Sequence, residues 1–265
     1  MDLRESPPEA VNRHPWERAR ARFFSRVVRD HVPSARPLRV LDVGAGDGFV
    51  SDALIDVLHP GSTITCFDPG YDAGQLARFA AAAKPGVSFT QQRPQAPHDL
   101  CLLLDVLEHV VDDRALLREL LATSLKPDAC VLVSVPARAG LFSQHDVALG
   151  HHRRYDAASL RATLQDVGLR PLVSGGLFHS LIVPRAAKKL GERIRGLSSE
   201  PPPPMAPLPE HISTDITSWR LGGAVTSVVD AALALDNSCS RLFATLGVDV
   251  PGMSEWALAR RAPGS

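Results

Sequence analysis

The sequence has no surplus of either charge: 29 Lys and Arg stand against 29 Asp and Glu over 265 residues, with a pI near 7.2. No overall field draws polyanions, so nucleic acid is not an expected partner. Cysteine is scarce, and Cys66, Cys101, Cys130 and Cys239 show neither CxxC nor zinc-type spacing. Three of them lie in apolar runs and read as reduced core residues of a cytoplasmic protein. The opening Met1-Asp2-Leu3-Arg4-Glu5-Ser6-Pro7-Pro8 has no apolar signal core, and no uncharged apolar run approaches membrane-spanning length. The expectation is a soluble chain without repeats. Its length suits one α/β domain with a substantial insertion or a small lid.

What is present alternates in type. Ala19, Phe23, Phe24, Val27 and Val28 recur at helical intervals between Trp16 and His31. Leu38–Val43 reads as a strand entering Gly44-Ala45-Gly46-Asp47-Gly48, followed by a helix through Val50, Leu54 and Leu58. Further strands are expected at Thr63–Phe67, around Val87–Phe89, at Leu100–Leu104, and at Ala129–Val135. Between them lie helices at Gln75–Ala83 and Asp113–Leu125, the second stopped by Lys126-Pro127. A long polar loop from Ala137 to Tyr155 precedes a helix at Leu160–Val167 that Gly168 ends; a loop of that length suggests function. A basic amphipathic stretch from Ile182 to Leu197, a proline-rich segment from Pro201 to Pro209 and an apolar helix from about Arg220 to Leu246 read as a lid. Glu255–Ala259 then returns to the sheet as the last strand. Such alternation favours a mostly parallel sheet covered on both faces, with ligands at the carboxyl ends of the strands.

The strand, glycine turn and helix at Gly44–Gly48 let a backbone approach a ligand closely. The spacing is GxGxG, not the dinucleotide fingerprint GxGxxG. Asp42 and Asp47 flank the turn; two carboxylates there repel a pyrophosphate and suit a ligand bearing an ammonium and a sulfonium. Asp68 ends the next strand about 20 residues on, where an acid can accept from both hydroxyls of a ribose. Asp68-Pro69-Gly70 also has the composition of a plain turn.

Val40-Leu41-Asp42-Val43-Gly44-Ala45-Gly46-Asp47-Gly48 resembles motif I of class I S-adenosylmethionine-dependent methyltransferases, and Asp68 matches their motif II acid. Asp105-Val106-Leu107-Glu108-His109-Val110 resembles the signature after strand four in the small-molecule branch that includes the ubiquinone-biosynthesis enzymes. The resemblance covers Leu38 to Leu172. It implies a doubly wound, mostly parallel seven-stranded α/β sheet with a helical lid inserted before the last strand. The implied organisation is an N-terminal cap at 1–35, a cofactor domain at 36–178 and 250–262, and a substrate insertion at 179–249. It also implies S-adenosyl-L-methionine held by Asp42, Gly44, Ala45, Gly46, Asp47, Gly48, Asp68, Pro69, Asp105, Val106, Leu107 and His109. The family's acid after strand three is missing from Gln91-Gln92-Arg93, where Gln92 or Gln91 can substitute through its carbonyl oxygen.

On the acceptor side, His145, His151 and His152 are candidate general bases near the expected methyl site, or anchors of their loop. Arg153 and Arg154 can bind a substrate carboxylate or phosphate, or serve as structural ion pairs. Tyr155 can meet substrate or pack under the next helix. Trp16, in His14-Pro15-Trp16-Glu17-Arg18, can anchor a cap over the site or pack its own helix. Asp105, Glu108 and His109 also form a carboxylate and imidazole grouping of metal-binding type. Support of the cofactor pocket is the simpler reading, and no metal is assigned. The basic stretch suits an anionic membrane or a phosphorylated lipid, or is a solvated face. The resulting expectation is methyl transfer to a small molecule, oxygen favoured, such as a natural product, glycan or lipid-linked intermediate. The alternatives are a protein or RNA methyltransferase and a cofactor-binding scaffold without turnover.

Overall fold

A computed structural model describes residues 13–32, 35–195 and 223–261. The leader before residue 13 and the proline-rich 201–209 lie outside the described residues. In chain order, α1 (Pro15–His31) precedes β1 (Arg39–Val43), α2 (Phe49–Ile55), β2 (Thr63–Phe67), α3 (Ala73–Ala82) and β3 (Val87–Thr90). Then come β4 (His98–Leu104), α4 (Asp113–Thr123), β5 (Leu125–Pro136), α5 (Gln144–Leu149), α6 (Ala157–Gln165) and β6 (Leu169–Leu177). The chain finishes with α7 (Ile182–Ile194), α8 (Gly223–Thr245) and β7 (Ser254–Arg261).

The strands form one seven-stranded sheet in the order β3-β2-β1-β4-β5-β7-β6. All neighbours from β3 to β5 run parallel, and β7 lies antiparallel between β5 and β6. The order turns back on itself between β1 and β4, which opens a crevice at their carboxyl ends. Every residue of β4 is buried, as a strand covered on both faces must be. One core layer joins Phe23, Phe24 and Val27 of α1 to Leu54 of α2, Leu233 of α8 and the side chains of Val40 and Leu102. The opposite layer joins Leu117, Leu120 and Leu121 of α4 to Leu160 and Leu164 of α6, against Leu41, Leu103 and Val133. Alternate residues of each strand thus serve opposite layers. Trp256 of β7 meets the Phe23 ring edge-on at 5.2 Å, which ties α1 to the last strand.

Helix α1 begins one residue earlier than its apolar periodicity suggests, because His14 caps it. The His14 ring accepts from the Trp16 amide at 3.0 Å, and Glu17 accepts from the His14 amide at 3.2 Å. This cap places Trp16 and Arg20, four residues apart, on one face above the crevice.

Three expectations need correction. Lys126 and Pro127 do not stop α4, which ends at Thr123. They belong to the start of β5, where the Lys126 ammonium meets Asp99 at 2.7 Å. The segment from Ala137 to Tyr155 is not all loop: Ser143 and Asp146 form a capping box that starts α5. Strand β6 has no counterpart in the sequence reading, since Pro171, Gly175 and Gly176 interrupt its apolar pattern. As the outer strand it tolerates them, with a register shift between Pro171 and Val173. Helix α7 also turns two of its cations inward. Arg185 reaches Asp146 and Lys189 reaches the Phe142 carbonyl, while Val183, Leu190 and Ile194 face outward. Among the described residues no helix is long and apolar enough to cross a membrane. Cys66, Cys101 and Cys130 are buried, Cys239 is half-buried, and all four are free thiols.

Candidate active site

The turn after β1 is tied to the residues around the end of β2. The Gly44 amide donates to the Phe67 carbonyl at 2.8 Å, and the Tyr71 hydroxyl donates to the Gly46 carbonyl at 2.5 Å. Gly44 and Gly48 have φ of +65° and +78°, values that side-chain-bearing residues adopt only with strain. A Cβ on Gly44 would lie 2.8 Å from a Val106 methyl, and one on Gly48 would lie 2.5 Å from the Phe89 ring. These glycines are therefore required by the close approach of Val106, just after β4, and of Phe89 on β3.

The flanking acids are largely answered by the chain itself. Asp42 is buried and accepts from the Ser51 hydroxyl at 2.7 Å; burial pushes its carboxyl up to about 6. Asp47 forms an ion pair with Arg13, just before α1. Asp68 stands at the end of β2 and accepts from the Gly70 amide at 2.8 Å, so the turn anticipated at Asp68-Pro69-Gly70 is formed. Gln92 sits past the end of β3, its amide bonded to the Thr90 hydroxyl at 3.0 Å, and Gln91 donates to the Pro69 carbonyl at 3.2 Å. At the tip of β4, Asp105 has φ of +60°, a conformation that persists only when its surroundings enforce it. Its amide donates to the Ser134 carbonyl at 2.8 Å, and Arg20 pairs with its carboxylate at 2.7 Å.

A cavity of about 270 Å³ opens at the ends of β4 and β5. Trp16 and Arg20 of α1, Asp105, Glu108 and His109 after β4, and Arg185 of α7 line it. His145, His151 and Arg154 enter from the segment after β5. Of the three candidate histidines, His145 and His151 line this space. The His152 amide instead bonds the Glu108 carbonyl at 2.8 Å, and its ring is not among the lining groups.

His151 is buried, with Nδ1 3.0 Å from Asp146 Oδ1 and its ring edge-on to His109 at 4.6 Å. Burial pushes the Asp146 carboxyl up, but the bonds from His151 and Arg154 outweigh it and hold the group well below the ordinary carboxylate value. An ionised carboxylate only accepts, so Nδ1 of His151 carries the proton that is donated to Asp146. His145 is driven down to about 4, first by burial and then by the Arg185 charge, and is neutral near neutral pH. Glu108 is fully buried, neither carboxyl oxygen has a hydrogen-bond partner among the described residues, and burial with the Asp105 charge pushes it well above its ordinary value. Ligand atoms of Glu108, His109 and His151 all lie within 4.8 Å of one another.

Arg154 lines the cavity, whereas Arg153 pairs with Asp113 at 3.1 Å and donates to the Val111 carbonyl at 2.6 Å, away from it. Tyr155 is buried in the core layer that also holds Leu160 and Leu164 of α6, and it donates to Asp113 at the start of α4 at 2.7 Å. Two residues that sequence reasoning missed stand out. Arg20 lies over the Trp16 ring at 5.2 Å, and its second terminal nitrogen, Nη2, is buried without a hydrogen-bond partner among the described residues. Arg185 arrives from α7. The first could have been found from its spacing after Trp16, and the second from its place on the polar face of the amphipathic stretch.

A glycine turn, an acid at the next strand tip and a cavity at the carboxyl ends of the neighbouring strands place this chain in the doubly wound class that binds ligands at that edge of the sheet. Comparison with known proteins gives the family: the profile of the methyltransferase domain matches residues 13–174, and the chain belongs to that family. A trans-aconitate 2-methyltransferase from Methylobacterium nodulans is 36% identical over 110 residues, 40% of this chain. The matched stretch spans only 41% of that relative's length. An S-adenosylmethionine-dependent methyltransferase from Mesorhizobium loti superposes with a TM-score of 0.51 at 17% identity, covering 89% of this chain and 96% of the other. A Haloferax volcanii methyltransferase, solved with the Trm112 methyltransferase activator, gives 0.53 at 16%, covering 94% and 92%. At such identities these two structures establish the fold: a seven-stranded, mostly parallel methyltransferase sheet with one strand, β7, antiparallel to both of its neighbours.

The cofactor of this enzyme family is S-adenosylmethionine, and the residues present fit it. The glycine turn ends β1 with no side chain at positions 44, 46 and 48, Asp68 offers a carboxylate at the tip of the adjacent β2, and Arg20, with Nη2 unpartnered among the described residues, shares a small pocket with Ala45 and Asp47.

Proposed function

We propose that the enzyme methylates an oxygen of a small molecule held in the cavity between α1 and α7, with His151 as general base. The observation that carries this reading is the buried Asp146 and His151 pair in the cavity wall.

In this reading Gly44–Gly48 receives the methionine end of S-adenosylmethionine, Asp68 the ribose hydroxyls, and Pro69 and Gln92 the neighbourhood of the base. Asp105, Val106, Leu107 and His109 line the pocket behind β4. Arg20 binds the methionine carboxylate with the nitrogen that Asp105 leaves over, a charge-assisted contact. Bound S-adenosylmethionine supplies an electrophilic methyl on a positively charged sulfur. Nε2 of His151 takes the acceptor's hydroxyl proton, and Asp146 holds the ring's orientation and stabilises its charged form. Trp16, Leu149 and Leu181 exclude water from the space. The cavity volume, near the lower end for small-molecule sites, supports a metabolite-sized acceptor.

Incubation with methyl-labelled S-adenosylmethionine and a cell extract, followed by separation by mass, tests the reading. Label should collect in small products one methyl unit heavier. Label in protein or RNA would replace this reading with a macromolecular one, and no transfer at all would favour a non-catalytic scaffold.

A further inference from the structure

Both members of the acid and imidazole pair hang on α5. Asp146 lies in its first turn, and His151 follows just after its end. A helix of six residues makes too few internal hydrogen bonds to hold its own geometry, so another part of the fold must fix it. The start of α5 is met by α7, which comes much later in the chain. Arg185 donates through Nη2 to the Ser143 hydroxyl at 2.6 Å and to Asp146 Oδ2 at 2.9 Å. Lys189, one turn further along α7, donates to the Phe142 carbonyl at 2.5 Å.

These contacts form a relay. The Ser143 hydroxyl accepts from Arg185 and donates its one proton to Asp146 Oδ2 at 3.1 Å, and the Ser143 amide donates to the same oxygen at 2.9 Å. Oδ2 is thus the oxygen held by the helix start and by α7. Oδ1 is left to accept from His151 Nδ1 at 3.0 Å and from Arg154 Nε at 2.8 Å. A carboxylate has no steep torsional preference of its own about its last bond. The direction of Oδ1, and with it that of the His151 ring, is therefore set by what holds Oδ2. Asp146 is fully buried, where such bonds are stronger than in water.

We propose that Arg185 is a positioning residue for the base: from α7 it fixes Ser143 and Oδ2 of Asp146, which aims Oδ1 at His151 Nδ1, so that the base is aligned only while α7 is docked on α5. Its action on the acceptor's proton is indirect, through Asp146 and His151. Lys189 secures the same end of α5 without touching either. Because the Ser143 hydroxyl lies on the path, its removal mimics part of the loss of Arg185, whatever else the guanidinium touches. This inference rests on the reading of His151 as base and adds what holds that base in place.

The test uses the full chain with nitrogen-labelled histidine, saturated with S-adenosylhomocysteine. Imidazole nitrogen shifts, with the His151 signal assigned by its loss in His151→Gln, report which ring nitrogen carries the proton when the ring is neutral. The unaltered protein should show Nδ1 protonated, Arg185→Gln should show a mixture with the Nε2-protonated form, and Arg185→Lys should restore part of the original state. This arm needs no acceptor. In a second arm, the initial rate of label transfer from methyl-labelled S-adenosylmethionine to the small molecules of a cell extract should fall about tenfold to a hundredfold in Arg185→Gln, with S-adenosylhomocysteine affinity unchanged. Ser143→Ala should lose less, and the double variant should lose less than the product of the two single losses, as residues on one path do. Arg193→Gln, exposed further along α7, should match the unaltered enzyme. An unchanged His151 tautomer in Arg185→Gln, an unchanged rate, or losses that multiply in the double variant would overturn the proposal. A full rate in His151→Gln would instead overturn the reading of His151 as base, and the tautomer arm would still decide whether Arg185 orients that ring.

Discussion

Asp146 and His151 meet through Oδ1 and Nδ1 at 3.0 Å inside the segment that follows β5, five residues apart across the end of α5. Gly150, in the left-handed region at φ +74°, makes the turn that brings the ring back over the carboxylate. A short helix thus converts two residues of a polar loop into an oriented acid and imidazole pair.

His151→Gln is expected to lower kcat by about a hundredfold or more, with little change in S-adenosylhomocysteine affinity. His152→Gln, which removes a ring outside the cavity, should leave kcat close to that of the unaltered enzyme. Steady-state kinetics with calorimetry check both. Full activity in His151→Gln would remove the base assignment.

Arg20→Leu leaves the stack on Trp16 and Phe24 partly filled but removes the Asp105 pair and the unpartnered nitrogen. Affinity for S-adenosylmethionine should fall by about tenfold or more, the worth of one charge-assisted bond. Calorimetry reads this directly. Unchanged affinity together with a raised acceptor KM would move Arg20 from the cofactor to the substrate.

The central strands were legible because β1, β2 and β4 are apolar runs closed by glycine or aspartate, and the sheet buries both of their faces. The glycine turn and Asp68 were legible for the same reason: backbone requirements leave their mark on adjacent residues. Other features were not. Lys126-Pro127 looks like a helix stop, yet Asp99 recruits Lys126 into β5. Arg20 and Arg185 enter the cavity from helices far apart in the chain, and no local pattern announces such a meeting. Asp42 and Asp47 were rightly placed beside the turn, but their hydrogen bond from Ser51 and ion pair with Arg13 come from tertiary structure.

Gly44→Ala puts a Cβ 2.8 Å from Val106 at a φ of +65°. A loss of about 1–3 kcal/mol in stability is expected, together with weakened cofactor binding. Gly140→Ala, with nothing within 4 Å of the added carbon, should be near neutral. Thermal melts of the two variants make the comparison; equal melting temperatures would contradict the packing described for the turn.

Buried imidazoles should each subtract stability on acidification, against the opposite contribution of the raised carboxyls of Asp42 and Glu108, which take up protons in the fold before the unfolded chain does. His145 titrates near 4 in the fold against an ordinary 6.5, through burial and the Arg185 charge, and His14 and His98 are lowered chiefly by burial. The unfolded chain therefore binds these protons first, and their share of stability is lost as pH drops from about 6.5 towards 4. His145→Gln should flatten that decline, as read from melting temperatures at pH 7 and pH 5. An unchanged slope would mean that His145 is not the buried neutral group described.

A crystal structure of the complex with S-adenosylhomocysteine tests the central claim most directly. The expected result has the ribose on Asp68, the methionine end along Gly44–Gly48 with its carboxylate on Arg20, and the sulfur facing the cavity that His151 lines. A sulfur directed away from His151, or a nucleoside absent from the glycine turn, would contradict it.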